Sequence, residues 1–179
     1  MDVLRYLNLS ALLQKKSHFL LGPRGTGKSY LIRQQLKKSA HVVDLLRSEN
    51  LLRLAAHPED LEKLIIPHLS KKKPYVVIDE IQKLPILLNE VHRLIEERRL
   101  RFLLTGSSAR KLRSQGINLL AGRAWPSELF PLVSHEIADF NLERYIRFGG
   151  LPSVYLSQNP QEELSAYIDT YIKEEVLTT

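Results

Sequence analysis

The sequence predicts an α/β fold, a parallel sheet flanked by helices. Three observations carry that prediction. Short apolar runs alternate along the chain with segments of helical period. One run, Tyr75–Asp79, is almost uninterrupted, as a strand covered on both faces must be. Another, His18–Leu21, passes through a glycine-rich turn directly into a helical pattern.

Size and composition agree with one such domain. The chain has 179 residues, 44% hydrophobic and 26% charged, which excludes a disordered tail, a collagen-like fibre and a disulfide-stapled mini-protein. It has no cysteine, so disulfides and zinc–cysteine sites are excluded as well. No apolar run approaches the roughly 20 residues a membrane span needs. Met1–Arg5 lacks the basic-then-apolar order of a signal peptide. The expectation is a cytoplasmic protein with no membrane partner. The net charge of +6 points to an anionic partner, nucleotide, nucleic acid or membrane surface, unless it is simply a solvated basic face.

The elements follow in order. The first strand covers His18–Leu21, and the helix after it starts near Lys28 and runs through Ile32 to Leu36. Ala40–Leu45 reads as the second strand. Residues 50–70 read as helix, broken at Pro58 and Pro67. Lys71–Pro74 is a polar connection into the third strand, Tyr75–Asp79. The next helix is expected to start at Pro85, a favoured first-turn residue, with Leu87, Val91, Leu94 and Ile95 on one face. Arg101–Thr105 is a fourth strand, ended by Gly106. Trp125–Leu132 holds a fifth, against the grain of Pro126 and Pro131. Beyond about residue 135 the pattern is helical only. Asn159, Pro160 and Glu162 make a strong helix start, with Leu164, Ile168, Tyr171 and Ile172 as its apolar stripe and Val176 and Leu177 in its last turn. The division expected is a core over 1–140 and a helical appendage over 141–179.

Gly22-Pro23-Arg24-Gly25-Thr26-Gly27-Lys28-Ser29 matches the P-loop pattern, and its context of strand before and helix after is the one the pattern requires. The glycines allow backbone conformations and close approaches that a Cβ would block. Turned inward, successive N–H groups make an anion nest, to which the helix N-terminus adds its positive end. Lys28 can reach the β- and γ-phosphates, and Ser29 can place its hydroxyl on Mg²⁺. Tyr30, next in the first turn, completes the cofactor-binding stretch. The third strand ends in Asp79-Glu80. In an open parallel sheet ligands sit outside the carboxyl ends of strands, so Asp79 is a Mg²⁺ ligand, directly or through water, and Glu80 is suited to deprotonate an attacking water. In isolation such a pair is a solvated turn or a cap; the P-loop changes that reading. The fourth strand ends in Thr105, Gly106, Ser107 and Ser108, and one of these hydroxyls can meet the γ-phosphate or the water; Ser107 is favoured over Thr105 and Ser108.

The ordered set GPRGTGKS, YVVIDEIQKLP and RFLLTGSSARKL resembles the AAA+ branch of P-loop ATPases, and the Glu directly after the strand-end Asp resembles its additional-strand catalytic-glutamate class. LLAGRAWPSELFPLVSHEI and LERYIRFGGLPSV resemble more narrowly a prokaryotic family of uncharacterised ATPases. The resemblance implies a P-loop NTPase of three layers with a five-stranded parallel sheet and a short C-terminal helical segment. It implies ATP and Mg²⁺ as cofactors, Lys28 and Ser29 as phosphate and Mg²⁺ contacts, Asp79 for Mg²⁺, Glu80 as catalytic base and Ser107 near the sensor position. Arg123 lies where arginine fingers often occur, with a salt bridge as its ordinary reading and Arg110 as its rival. The implied partners are a second copy of the chain and a C-terminal or partner domain of nuclease-like character, since members usually continue into one. The typical helical lid is not evident; only the segment from Asn141 onward could supply it.

Two features stay outside this chemistry. The six histidines are scattered without metal-ligand spacing. Arg98, Arg99, Arg101 and Lys71–Lys73 read as solvated faces, and no aromatic residues interleave with them to make a stacking platform for nucleic acid. The expected function is Mg²⁺-dependent ATP hydrolysis by water activated at Glu80. The alternatives are a nucleotide-dependent switch acting on a partner and a DNA-associated ATPase.

Overall fold

The structure, a computed structural model, describes residues 3–107 and 120–171. Ser108, Arg110, Ile172, Val176 and Leu177 lie outside them. The strands are β1 (Ser17–Leu21), β2 (Ala40–Asp44), β3 (Tyr75–Asp79), β4 (Arg101–Gly106) and β5 (Ala124–Glu128). The helices are α1 (Leu9–Lys15), α2 (Lys28–Leu36), α3 (Ser48–Ala56), α4 (Asp60–Ile65), α5 (Leu87–Arg98), α6 (Leu142–Phe148), α7 (Pro152–Tyr155) and α8 (Pro160–Tyr171). The chain divides into two compact units, one of Leu7–Gly22 with Lys28–Leu129, the other of the residues through Tyr6, Pro23–Gly27 and Phe130 onward.

The larger unit holds the sheet. Its order is β2-β3-β4-β1-β5, with every pairing parallel. β4 therefore lies between β1 and β3. Successive side chains of a strand leave on opposite faces, and the core obeys this. Phe19, Leu21, Val76, Ile78, Phe102 and Leu104 join one cluster with residues of α3, α4 and α5. Leu20, Val77 and Leu103 join another with residues of α1 and α2. Three layers result, with the central strands buried on both sides.

Three local outcomes differ from the sequence reading. α1 is an element that reading does not assign; Asn8 caps it, its side chain accepting from the Ala11 N–H at 2.9 Å. α5 starts at Leu87 rather than Pro85, because Pro85 and Ile86 form a preceding turn whose carbonyls accept from Leu88 and Asn89 at 3.0 and 3.2 Å. β5 ends at Glu128, not Leu132. The Leu129 N–H still donates to Leu21 O at 2.7 Å, so odd-numbered amides of this strand face β1. Pro131 has no N–H to continue that ladder. By the same alternation the missing N–H of Pro126 falls on the outward side, which is why an edge strand accepts it.

The smaller unit contains α6, α7 and α8 and a core of Leu132, Ile137 and Tyr155, with Val3, Phe140 and Tyr145 packed against it. The Gly149-Gly150-Leu151-Pro152 corner has a steric cause. Leu132 N–H donates to Gly150 O at 2.7 Å, and a Cβ on Gly150 would collide with Leu132 O and lie 2.8 Å from the Tyr145 ring. No residue of α8 is buried. Among the described residues no helix is long and apolar enough to cross a membrane.

Candidate functional site

The sheet register aligns the carboxyl ends of β1, β3 and β4: Leu21 lies opposite Gly106 and Ile78 opposite Leu104. Gly22, Asp79-Glu80 and Thr105–Ser107 thus emerge along one edge, and α2 opens beside them with Lys28 and Ser29. Lys28 is buried, and its ammonium donates to Gly22 O at 2.6 Å. Ser29 Oγ donates to Asp79 Oδ2 at 3.2 Å, joining α2 to the end of β3. A hydroxyl and a carboxylate oxygen facing each other are a donor pair of the kind Mg²⁺ takes, with water and phosphate supplying the remaining positions. The residues present fit the cation. Ser29, Asp79, Asp44, Asn50, Arg33 and Arg47 line a cavity of about 320 Å³.

Thr105 organises this edge from within. It is fully buried; its hydroxyl donates to Asp79 Oδ1 and accepts the Glu80 N–H at 2.9 Å. Glu80 itself has φ 63° and ψ 47°, a left-handed conformation that side chains rarely adopt. The turn after it, Ile81–Lys83, is pinned by fully buried Ile81 and closed by the Lys83 N–H donating to Glu80 O at 2.9 Å. Gln82 then returns its amide nitrogen to Glu80 Oε2 and lies 3.4 Å from Ser107 Oγ.

The middle of the P-loop, Pro23–Gly27, belongs to the smaller unit. Thr26 is fully buried, and its hydroxyl and N–H both turn back to Pro23 O at 2.9 and 3.4 Å. Gly25 and Gly27 have φ of +78° and +92°, which a side chain would strain. Arg5 donates to Thr26 O at 2.7 Å and to Phe130 O at 2.6 Å. Its Nε pairs with Glu136 Oε1 at 3.0 Å, both side chains being 4% exposed. Burial works against the Glu136 charge, but hydrogen bonds from the Tyr6 N–H, Arg5 and the Val133 N–H outweigh it and hold the carboxyl below its ordinary range. Arg5 and Glu136 also line a cavity of about 650 Å³ with Val3, Tyr6, His135 and Leu156. Tyr167 of α8 donates to Arg24 O at 3.2 Å.

The structure thus brings Ser29 and Asp79 together, and links Glu80 to Ser107 through Gln82. Tyr30 lies half-buried in the first turn of α2, and Arg24 and Pro23 are exposed. Arg123 is not part of the cluster: its guanidinium pairs with Glu96 of α5 at 2.6 Å and reaches Ala121 O at 3.3 Å. Sequence reasoning ranked Thr105 below Ser107, and it did not single out Gln82 or Arg5. The sequence signal for Thr105 was its place inside a strand; Gln82 and Arg5 gave none.

A family model described as an AAA domain matches residues 14–138. An uncharacterized protein of Haemophilus influenzae is 27% identical over 183 residues, covering 87% of this chain and 44% of that protein. The chain therefore spans less than half the length of this relative. The Aeropyrum pernix ORC1 protein, solved in complex with DNA, has a similar fold, with a TM-score of 0.53 and 18% identity over 94% of this chain and 56% of that one. A point variant of Thermotoga maritima RuvB gives a TM-score of 0.42 and 21% identity over 72% of this chain and 44% of that one.

Proposed function

Because the chain belongs to the AAA domain family and carries an AAA+ P-loop ATPase core, we propose that it hydrolyses ATP with Mg²⁺, using Glu80 to activate the water. The observation that carries this reading is the 3.2 Å approach of Ser29 Oγ to Asp79 Oδ2, with Glu80 one residue beyond. When bound, Mg²⁺ supplies neutralisation of charge on the phosphates. Ser29 and Asp79 would hold it. Lys28, resting on Gly22 O, would exchange that carbonyl for phosphate oxygens. Glu80 would take a proton from water as its oxygen bonds to the γ-phosphorus. The bond from that phosphorus to the bridging oxygen breaks, and ADP and inorganic phosphate leave. Ser107 would meet the γ-phosphate or the water.

The test is phosphate release by the purified chain beside its variants. Lys28→Ala is expected to lose ATP binding. Glu80→Gln is expected to keep ATP binding and to slow hydrolysis by about 100-fold or more, the scale of a lost general base. Hydrolysis by Glu80→Gln at the parental rate would remove the base from the mechanism. A second reading, a nucleotide-dependent switch acting on a partner or a C-terminal domain, draws support from Tyr167, whose hydroxyl binds the Arg24 carbonyl of the P-loop. Tight ATP binding without phosphate release by the parent chain favours it.

A further inference from the structure

Among the described residues one side chain donates a hydrogen bond to the Glu80 carboxylate, and it belongs to a residue the sequence motifs leave without a role. The amide nitrogen of Gln82 carries two hydrogens. One goes to Glu80 Oε2. The other faces Ser107 Oγ at 3.4 Å, a long contact on the same nitrogen. The amide oxygen is buried and has no hydrogen-bond partner among the described residues. Exchanging the two ends of the amide would set that oxygen against a carboxylate, acceptor against acceptor, so the orientation is fixed by chemistry.

The backbone builds this arrangement. Left-handed Glu80 turns the chain sharply, Lys83 N–H closes the turn on Glu80 O, and buried Ile81 anchors it. A residue two positions on is thereby folded back over the Glu80 side chain, at the cost of a strained backbone conformation. Such strain persists where the surroundings over-determine it. A glutamate side chain has three rotatable bonds, and without a partner it samples many positions. The Gln82 nitrogen removes that freedom and ties the carboxylate after β3 to the hydroxyl after β4.

We propose that Gln82 is the positioning residue for Glu80, fixing its carboxylate relative to Ser107 so that base and γ-phosphate contact are presented together. This rests on the reading of Glu80 as the base. Its consequence is a loss in turnover without a loss in nucleotide affinity, since no atom of Gln82 is called on to touch ATP.

Two measurements on the full chain test it. In ATP hydrolysis, Gln82→Met keeps the side-chain length and removes both donors. Its kcat is expected to fall about 10- to 100-fold, the scale of misplacing a reacting group by an ångström, with KM for ATP within about twofold. In nucleotide-free protein labelled with ¹⁵N, the Gln82 side-chain amide pair is identified by its absence from Gln82→Met. That pair is expected to shift in Glu80→Gln and, by less, in Ser107→Ala. An amide pair unmoved by Glu80→Gln overturns the tie itself, whatever the enzyme does. A Gln82→Met variant with parental kcat, or one whose defect lies in KM, overturns the positioning role. If Glu80→Gln hydrolyses ATP normally while the amide pair shifts, the tie stands and the base assignment is what failed.

Discussion

Thr105 carries two jobs on one oxygen. It donates to Asp79 and accepts from the Glu80 N–H, so it orients the proposed metal ligand and the backbone of the proposed base at once. Thr105→Val keeps the shape and deletes both bonds, leaving a half-buried N–H and a half-buried carboxylate oxygen each short of a partner. A hydrogen bond contributes about 0.5–1.5 kcal/mol net, so the two together are worth about 1–3 kcal/mol. The variant is therefore expected to lower the urea midpoint by a stability loss in that range, and to weaken Mg²⁺-dependent turnover more than ATP binding. A midpoint equal to the parent's would mean that the hydroxyl is dispensable. The sequence offers hydroxyls at 105, 107 and 108 with nothing in their spacing to rank them. What separates Thr105 is its place inside the strand, which the apolar run shows; that its hydroxyl there meets both Asp79 and the Glu80 N–H is a property of the sheet.

At the scale of elements, β3 was legible because burial on both faces leaves a continuous apolar run, and the helix after the P-loop was legible because the motif demands one. β4 shows the same logic energetically. Phe102 is fully buried in the core cluster that the sheet shares with α3, α4 and α5, and Phe102→Ala is expected to cost about 3–5 kcal/mol, read as a loss in thermal or denaturant stability. A change below about 1 kcal/mol would show that the site collapses around the missing ring. α1 was not legible. It has only seven residues, and its buried stripe is Leu9 and Leu13, too short a pattern to stand out without its partner α2. The strand order was not legible either, since alternation marks a strand and says nothing about its neighbours. Gln82 escaped notice for a related reason: only the left-handed turn at Glu80 folds it back.

At the scale of the whole molecule, part of the basic charge is paired in place, and the excess of +6 stands over and above those pairs. Arg93 pairs with Glu62, Glu90 and Glu97, Arg98 with Glu62 and Arg123 with Glu96. These are surface pairs of small individual worth. The buried pair of Arg5 and Glu136 is different. The folded carboxyl of Glu136 lies below its unfolded value, so its contribution is complete above the ordinary glutamate range near 4.5 and disappears as pH falls through the folded value. Glu136→Gln is expected to be less stable than the parent at neutral pH. The gap in thermal midpoint is expected to narrow as pH is lowered through and below the ordinary glutamate range, as the parent carboxyl becomes protonated too. A gap that stays constant would mean that the charge contributes nothing. The resemblance also implies a second copy of the chain, and here the β5 edge sets a condition. Pro126 turns its ring outward where the next strand would need an N–H. Two molecules meeting at that border would lack a ladder donor at Pro126, which disfavours merging their sheets and favours an assembly made by side chains, and the same proline blunts edge-to-edge addition of strands into a fibre.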